Sequence, residues 1–366
     1  MQRKQSILIL GARAPVALEL CRSLGKKGHI VIMADSMRFP LGRWSKYAHA
    51  YVKLPSPNAF PKQYVDALRK IHQEHSIDFC LPTCEEVFHL SKALAELPFS
   101  VWLDQISLMD RLHNKWTFSQ WKESPFCFPQ TLLMKDFENW ENSKEYVFKP
   151  KYSRFGEQTL INLSEMKVKA KLKQAKDWIV QEKIEGEEIC VYSLWKNGKL
   201  LAFSIYKLAC RHKGGAALLF QPLWKQKVYE AVRSFGESLN FSGQLSFDMI
   251  QTKEKIYVIE CNPRATSGLH LLADGIAAAI IDEEPHILTD QQRARSLKTA
   301  ILFSNPFYFT RKEVRRSKDA VFSLEDPKAF FFQILGLLEF LYRSLRYNIS
   351  FTQSMTYDIA FDGLGD

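Results

Sequence analysis

Gln244-Leu245-Ser246-Phe247-Asp248-Met249-Ile250 and Ile256-Tyr257-Val258-Ile259-Glu260-Cys261-Asn262-Pro263-Arg264 read as two short β-strands. Leu245, Phe247 and Met249 alternate with smaller or polar residues, as do Ile256, Val258 and Glu260. The polar Thr252-Lys253-Glu254-Lys255 between them suits a hairpin turn. An antiparallel pairing sets Asp248 beside Glu260, with Asn262 two residues on and facing the same side. Two carboxylates and an amide oxygen suit a hard cation, magnesium or in its place manganese, that keeps some waters and draws its remaining ligands from phosphates. Solvated acids at a hairpin tip fit the same pattern. The trailing Asn-Pro-Arg argues for the site, because Arg264 adds a fixed cation where a transferred phosphate would lie.

Upstream, Tyr146-Val147-Phe148-Lys149-Pro150 is an apolar strand ending in a lysine, followed by Lys151-Tyr152-Ser153-Arg154-Phe155-Gly156. Such a loop can wrap phosphates: Lys149 supplies a point charge, and Ser153 and Gly156 let backbone N–H groups approach the oxygens. The run from Trp178 to Ser193 holds two β-like segments joined by the acidic connector Glu182-Lys183-Ile184-Glu185-Gly186-Glu187. An extended connector exposes backbone groups that can read an adenine edge, and Glu188 can accept both ribose hydroxyls. An acidic surface loop is the plainer alternative.

In order and spacing these pieces resemble the ATP-grasp superfamily of carboxylate–amine ligases, of the carbamoyl-phosphate synthase large-subunit and D-alanine–D-alanine ligase type, over roughly residues 105 to 275. The resemblance implies ATP-binding roles for Lys115, in Leu112-His113-Asn114-Lys115-Trp116, and for Lys149. It makes Ser153 to Gly156 the loop over the phosphates, Gln181, Glu182 and Ile184 the adenine hinge, and Glu188 the ribose ligand. Asp248, Glu260 and Asn262 become the metal ligands, and Arg264 the arginine that stabilises the transferring phosphoryl. The implied fold is α/β and α+β: a Rossmann-like pre-ATP-grasp domain (1–104), a small lid module (105–190), a large module with the metal site (191–290) and a basic, partly helical C-terminal extension (291–366). The implied activity is ATP- and magnesium-dependent activation of a carboxylate as an acyl phosphate, which an amine, or another nucleophile such as a thiol, then captures. The phosphate loop departs from the pattern: Gly156 stands alone beside the bulky Arg154 and Phe155. A catalytically reduced, ATP-binding regulatory or adaptor module is the alternative that this departure keeps open.

The N-terminal third follows another plan. Ser6-Ile7-Leu8-Ile9-Leu10 is a continuous apolar strand, a helix-like run spans Val16 to Leu24, and Gly28 to Asp35 reads as a second strand ending in an acid. This opens a parallel βαβ sheet. A dinucleotide site with Asp35 on the ribose lacks its Gly-x-Gly-x-x-Gly spacing, since Arg13 and Pro15 stand where backbone should approach a pyrophosphate. Further on, Thr83, Glu85 and Glu86 follow a strand. Glu86 either faces substrate or completes a Thr-x-x-Glu capping box with Thr83 as N-cap.

A chain of 366 residues, 46% hydrophobic and 25% charged, buries a full core and accommodates two or three domains. Its seven cysteines form no Cys-x-x-Cys pair, which fits reduced thiols in a reducing cytoplasm. The net charge of +10 includes the cluster Arg311-Lys312-Glu313-Val314-Arg315-Arg316-Ser317-Lys318. With no aromatic interleaving it reads as a solvated face rather than a nucleic-acid site. The apolar stretch Ala329 to Tyr342 fits a buried helix or a homodimer contact. Together with the basic cluster and Arg343 and Arg346, it gives a sharper alternative, a peripheral membrane contact through 311–346. In Lys207-Leu208-Ala209-Cys210-Arg211-His212-Lys213-Gly214-Gly215, Arg211 is the candidate for binding the substrate carboxylate, small molecule or peptide, through a bidentate pair.

Overall fold

The computed structural model describes residues 3–154, 156, 158–171, 177–211, 217–289 and 292–364. Among these residues the strands form three sheets. The apolar run Ser6–Leu10 is β1, buried along its whole length. It centres a parallel sheet with β2 (Ile30–Asp35), β3 (Ala50–Lys53), β4 (Phe79–Leu81) and β5 (Ser100–Val101), in the order β3-β2-β1-β4-β5. Strands buried on both faces need helices on both sides. On one side α1 (Pro15–Lys26) supplies Ala17, Leu20, Cys21 and Leu24, and on the other α2 (Pro61–His75) supplies Tyr64, Leu68 and Ile71. Asp35, at the end of β2, accepts hydrogen bonds from the backbone N–H of Arg13 (2.8 Å) and from its guanidinium (2.6 Å). The acid that would hold a ribose is therefore already occupied by an arginine.

Thr83 does not cap the next helix. Its hydroxyl donates to the Leu10 carbonyl (2.8 Å), and α3 (Glu86–Lys92) begins three residues later, with Glu85 at its N-cap. Only half of the expected box forms: the Glu86 carboxylate accepts the N–H groups of Thr83 and Cys84, both at 2.9 Å. The carbonyl at the end of the neighbouring β1 offers the threonine a closer partner than the helix does.

The second sheet holds β6 (Thr131–Leu133), β7 (Tyr146–Pro150), β8 (Leu160–Ile161) and β9 (Trp178–Glu182), in the order β6-β9-β7-β8. Its small core is Phe137, Phe148 and Val180, closed by Val168 of α6 (Glu165–Lys171). The third and largest runs β14-β13-β10-β11-β12-β16-β17, with β15 beside β11. Its strands are β10 (Glu187–Lys196), β11 (Lys199–Arg211), β12 (Ala217–Leu223), β13 (Gly243–Gln251), β14 (Ile256–Asn262), β15 (His286–Ile287), β16 (Arg295–Ser296) and β17 (Lys318–Asp319). One face buries Ile189, Val191, Phe247 and Val258 with residues of α4 (Ile106–His113), α5 (Lys115–Ser119) and α7 (Gln226–Ser238). On the other face Tyr192, Leu194 and Tyr206 share a core with α1 and α8 (Ile276–Ile281).

Residue 190 lies inside β10, the connector 183–186 joins the small sheet to the large one, and α4 and α5 pack under the large sheet. Gly186 ends the connector because a Cβ there would stand 2.3 Å from the Gln251 carbonyl oxygen. Beyond residue 292, β16 and β17 extend the large sheet, alongside α9 (Lys298–Ser304) and α10 (Lys312–Arg316). The chain then crosses back through α11 (Lys328–Tyr347) and α12 (Phe351–Ser354) to the parallel sheet. Buried ion pairs fasten it there, Arg22 to Asp326 at 2.9 Å and Arg13 to Asp358 at 2.6 Å. No described helix is long and apolar enough to cross a membrane.

Candidate active site

The hairpin β13–β14 forms with Asp248 directly opposite Glu260 and Ser246 opposite Asn262, which brings all three oxygen donors to one face. Simple alternation fails within it. Met249 pairs with Val258, so Ile259 is an extra residue, a β-bulge. A regular strand would turn Val258 and Glu260 to the same side. The bulge sends Val258 into the core while Glu260 faces Asp248, and it releases the Ile259 carbonyl to accept from the Lys149 ammonium (3.4 Å).

The lysines converge on this face. Asn114 caps α5 by accepting the N–H groups of Trp116 and Thr117, which holds Lys115 at the first turn with its Nζ 3.2 Å from Glu260. Lys149, near the end of β7, donates to Gln181 Oε1 (2.9 Å), and Gln181 in turn donates to the Thr131 hydroxyl (3.0 Å). Gln181 is therefore a buried support for the lysine, while Glu182 is exposed and accepts from the Gln130 N–H. The Ile184 N–H meets no backbone acceptor among the described residues, which leaves a donor in the hinge. Glu188 lies on the same sheet face as Asp248, since Cys190, two residues on, pairs with Asp248. Ser153 offers its carbonyl to Lys115 (3.5 Å), and Gly156 adopts φ +68°, a left-handed turn suited to a residue without a Cβ.

Arg264 donates to Asn262 Oδ1 (3.3 Å) and to the Ala265 carbonyl (3.3 Å), while its buried Nε has no partner among the described residues. An unpaired guanidinium N–H beside two carboxylates is a donor waiting for an acceptor. Burial lowers the Lys149 pKa to about 8, with Lys115 adding to the effect. Burial opposes ionisation of Glu260, but Lys115 and Lys149 outweigh it and hold this carboxyl well below its usual range. Burial and the Glu260 charge push Asp248 the other way, to about 7.

Several neighbours carry no sequence signal, because they lie far apart along the chain. Cys190 donates its thiol to Asp248 (2.7 Å). His113 is buried with Nε2 unpartnered among the described residues, and burial, Lys115 and Arg264 hold it neutral. Arg154, in the phosphate loop, pairs with Glu85 and also donates to Asp362 (2.9 Å) and to the Phe361 carbonyl (2.6 Å). The segment 358–362 thus lies between the loop and the parallel sheet. Glu86 is not part of this cluster: it is buried beside Gly11 and Tyr64, its Oε1 held by the turn before α3 and its Oε2 without a partner among the described residues. The side chain of Arg211 lies outside the described part of the structure, as do Phe155 and residues 212–216.

Among the described residues no cluster of three or more His, Cys, Asp or Glu has the geometry of a complete metal site. The donor set still fits magnesium. Asp248, Glu260 and Asn262 present only oxygen, and a partial shell is what an ion shared with phosphates requires. An ion bound there would compete with protonation of Asp248, which burial and the Glu260 charge favour. Affinity for magnesium–ADP, measured by titration calorimetry, is therefore expected to rise between pH 6 and pH 8, most steeply below about 7. A flat profile would remove Asp248 from the ligand set.

Residues 112–268 match the ATP-grasp domain family. That segment is an ATP-grasp domain. Solved structures agree on the fold. N5-carboxyaminoimidazole synthetase from Staphylococcus aureus superposes with a TM-score of 0.60 at 15% identity, covering 78% of this chain and 80% of that one. An L-amino acid ligase from Bacillus licheniformis gives 0.56 at 17% identity, over 77% and 71% of the two chains. The biotin carboxylase domain of Hydrogenobacter thermophilus 2-oxoglutarate carboxylase, solved with MgADP, ADP and bicarbonate, gives 0.59 at 14% identity, over 80% and 72%. No curated protein matches the chain. The ATP-grasp match contains Lys115, Lys149, Gln181, Glu188, Asp248, Glu260, Asn262 and Arg264.

Proposed function

We propose that this ATP-grasp protein is a magnesium-dependent ligase that activates a carboxylate with ATP and joins it to an amine. The observation that carries the reading is the convergence on one sheet face of Asp248, Glu260 and Asn262 with Lys115, Lys149 and the unpaired Arg264 Nε. A solved neighbour that holds MgADP with bicarbonate supports the pairing of nucleotide with a small acid.

In this reading the hinge from Gln181 to Ile184 receives the adenine and Glu188 the ribose. Lys115 and Lys149 leave Glu260 and Gln181 to meet the phosphates, and Asp248, Glu260 and Asn262 hold the ion. Magnesium bound there would neutralise charge on the terminal phosphates. A carboxylate oxygen attacks the γ-phosphorus and ADP departs, leaving an acyl phosphate. Arg264 and Lys149 stabilise the charge on the transferring group chiefly by being in position beforehand. The amine nitrogen then attacks the acyl carbon, phosphate leaves with the C–O bond electrons, and the nitrogen loses a proton. A thiol nucleophile would follow the same course. The seven cysteines, five of them buried, form no disulfide, which suits a reducing compartment.

A second reading, a nucleotide-binding regulatory module, is favoured by Arg154, which is bound to Glu85 and to the segment 361–362 rather than free to reach phosphate. Magnesium-dependent ADP release with pooled carboxylates, with and without pooled amines, separates the two. Release that requires an acid supports the ligase. Tight magnesium–nucleotide binding with no release in any pool supports the module.

A further inference from the structure

We propose that α11 docks this protein onto an anionic membrane surface, lying flat in the headgroup layer with its outer stripe inserted. The helix is amphipathic in the opposite sense to one that faces water. Its central polar residues point inward: Glu339 accepts the N–H groups of Arg38 (3.0 Å) and Phe39 (2.9 Å), and Arg343 bridges Asp358 (2.7 Å) and Glu339 (2.9 Å). The side left to solvent carries Phe331, Ile334, Leu338, Leu341 and Leu345, with Phe331 66% and Leu345 75% exposed. Spacings of three and four residues keep these side chains on one stripe.

The stripe's borders are aromatic and cationic. Trp44 stacks on Phe332 with ring centroids 4.4 Å apart, and the exposed Arg43 lies 5.3 Å from the Trp44 ring. At the far end Arg346 donates to the Tyr342 hydroxyl (3.3 Å). The two charges that α11 leaves exposed, Lys328 and Arg346, are both cations, because Glu339 and Arg343 are consumed on the inner side. Aromatic side chains with lysine and arginine around an apolar stripe are what an interfacial helix needs.

Charge decides between a lipid surface and a second copy. A two-fold contact brings the same patch against itself, so cationic borders would meet cationic borders with no exposed acid on the helix to answer them. An anionic bilayer supplies the complement. Spanning is excluded by the charged Glu339 and Arg343 in the second half of the helix and by its polarity as a whole.

Sedimentation of the full chain with vesicles tests the proposal. The protein is expected to bind phosphatidylcholine–phosphatidylserine vesicles, to bind pure phosphatidylcholine more weakly, and to be released by salt. L338E/L345E removes two exposed leucines without touching the core, and should weaken binding by about 100-fold or more. K328E/R346E should reduce binding to the level seen on phosphatidylcholine. Failure of the wild type to bind anionic vesicles at low salt overturns the proposal, as does undiminished binding of L338E/L345E. A dimer in analytical ultracentrifugation that L338E/L345E dissolves, without vesicle binding, would overturn it in favour of a second copy. Magnesium–nucleotide affinity unchanged in both variants shows that the site itself is intact.

Discussion

Glu260→Gln is expected to lower ADP release by about 10³-fold or more while leaving the fold in place. The amide has the same shape, so the bulge at Ile259 and the pairing with Asp248 survive. What is lost is the single charge on which Lys115 rests at 3.2 Å and which, with Asp248, would hold the ion. With that charge gone, Lys115 and Lys149 repel each other across the site, and Asp248, no longer facing an ionised carboxylate, falls back toward the normal carboxylate range. Steady-state ADP release and thermal melting with and without magnesium–ADP separate chemistry from stability. An enzyme that still melts cooperatively but no longer gains stability from magnesium–ADP is the expected outcome. Wild-type turnover in this variant would take Glu260 out of the mechanism.

Asp358→Ala is expected to cost about 2–3 kcal/mol of folding stability: Arg13 keeps Asp35 and Arg343 keeps Glu339, but both lose charge-assisted hydrogen bonds in a buried network. Arg13 lies between Asp35 and Asp358, each 2.6 Å away, and its side chain is only 5% exposed. Asp358 also receives Arg343 (2.7 Å) and hydrogen-bonds the Ser36 hydroxyl. These partners more than offset the burial that opposes ionisation, and they hold its carboxyl well below the usual range. Its contribution is therefore complete above the unfolded carboxylate range and is lost as acid protonates it in the folded state. Urea denaturation at neutral pH measures the loss. A change under about 1 kcal/mol would mean that water reaches Arg13 and replaces its partner.

The carboxylate face of the hairpin was legible because period-two alternation and a short polar turn fix which residues of a hairpin stand opposite one another. That reading fixed the pairing of Asp248 with Glu260 but put Val258 and Glu260 on the same side. Nothing local in Ile256-Tyr257-Val258-Ile259-Glu260 announces the extra residue, because Val258 and Ile259 are both apolar and either could enter the core. Cys190 beside Asp248 and Arg154 beside Glu85 were invisible for another reason: 58 and 69 residues separate the partners, and only the packed sheets bring them together. Glu86 was legible as half of a cap, but not as fully enclosed. The hydropathy of α11 was plain in the sequence, and its outward direction was not, since an apolar stripe does not say which way it faces until Glu339 and Arg343 are seen bound on the inner side.

The clasp between Arg13 and Asp358 joins residues 345 positions apart. During synthesis the parallel sheet precedes Asp358, so its arginine waits for 345 further residues before one of its two acids is made. Until then the nascent N-terminal domain carries a half-neutralised cation at the carboxyl end of its strands. A chain cut short before Asp358 would therefore hold a domain folded in outline but weakened at that point.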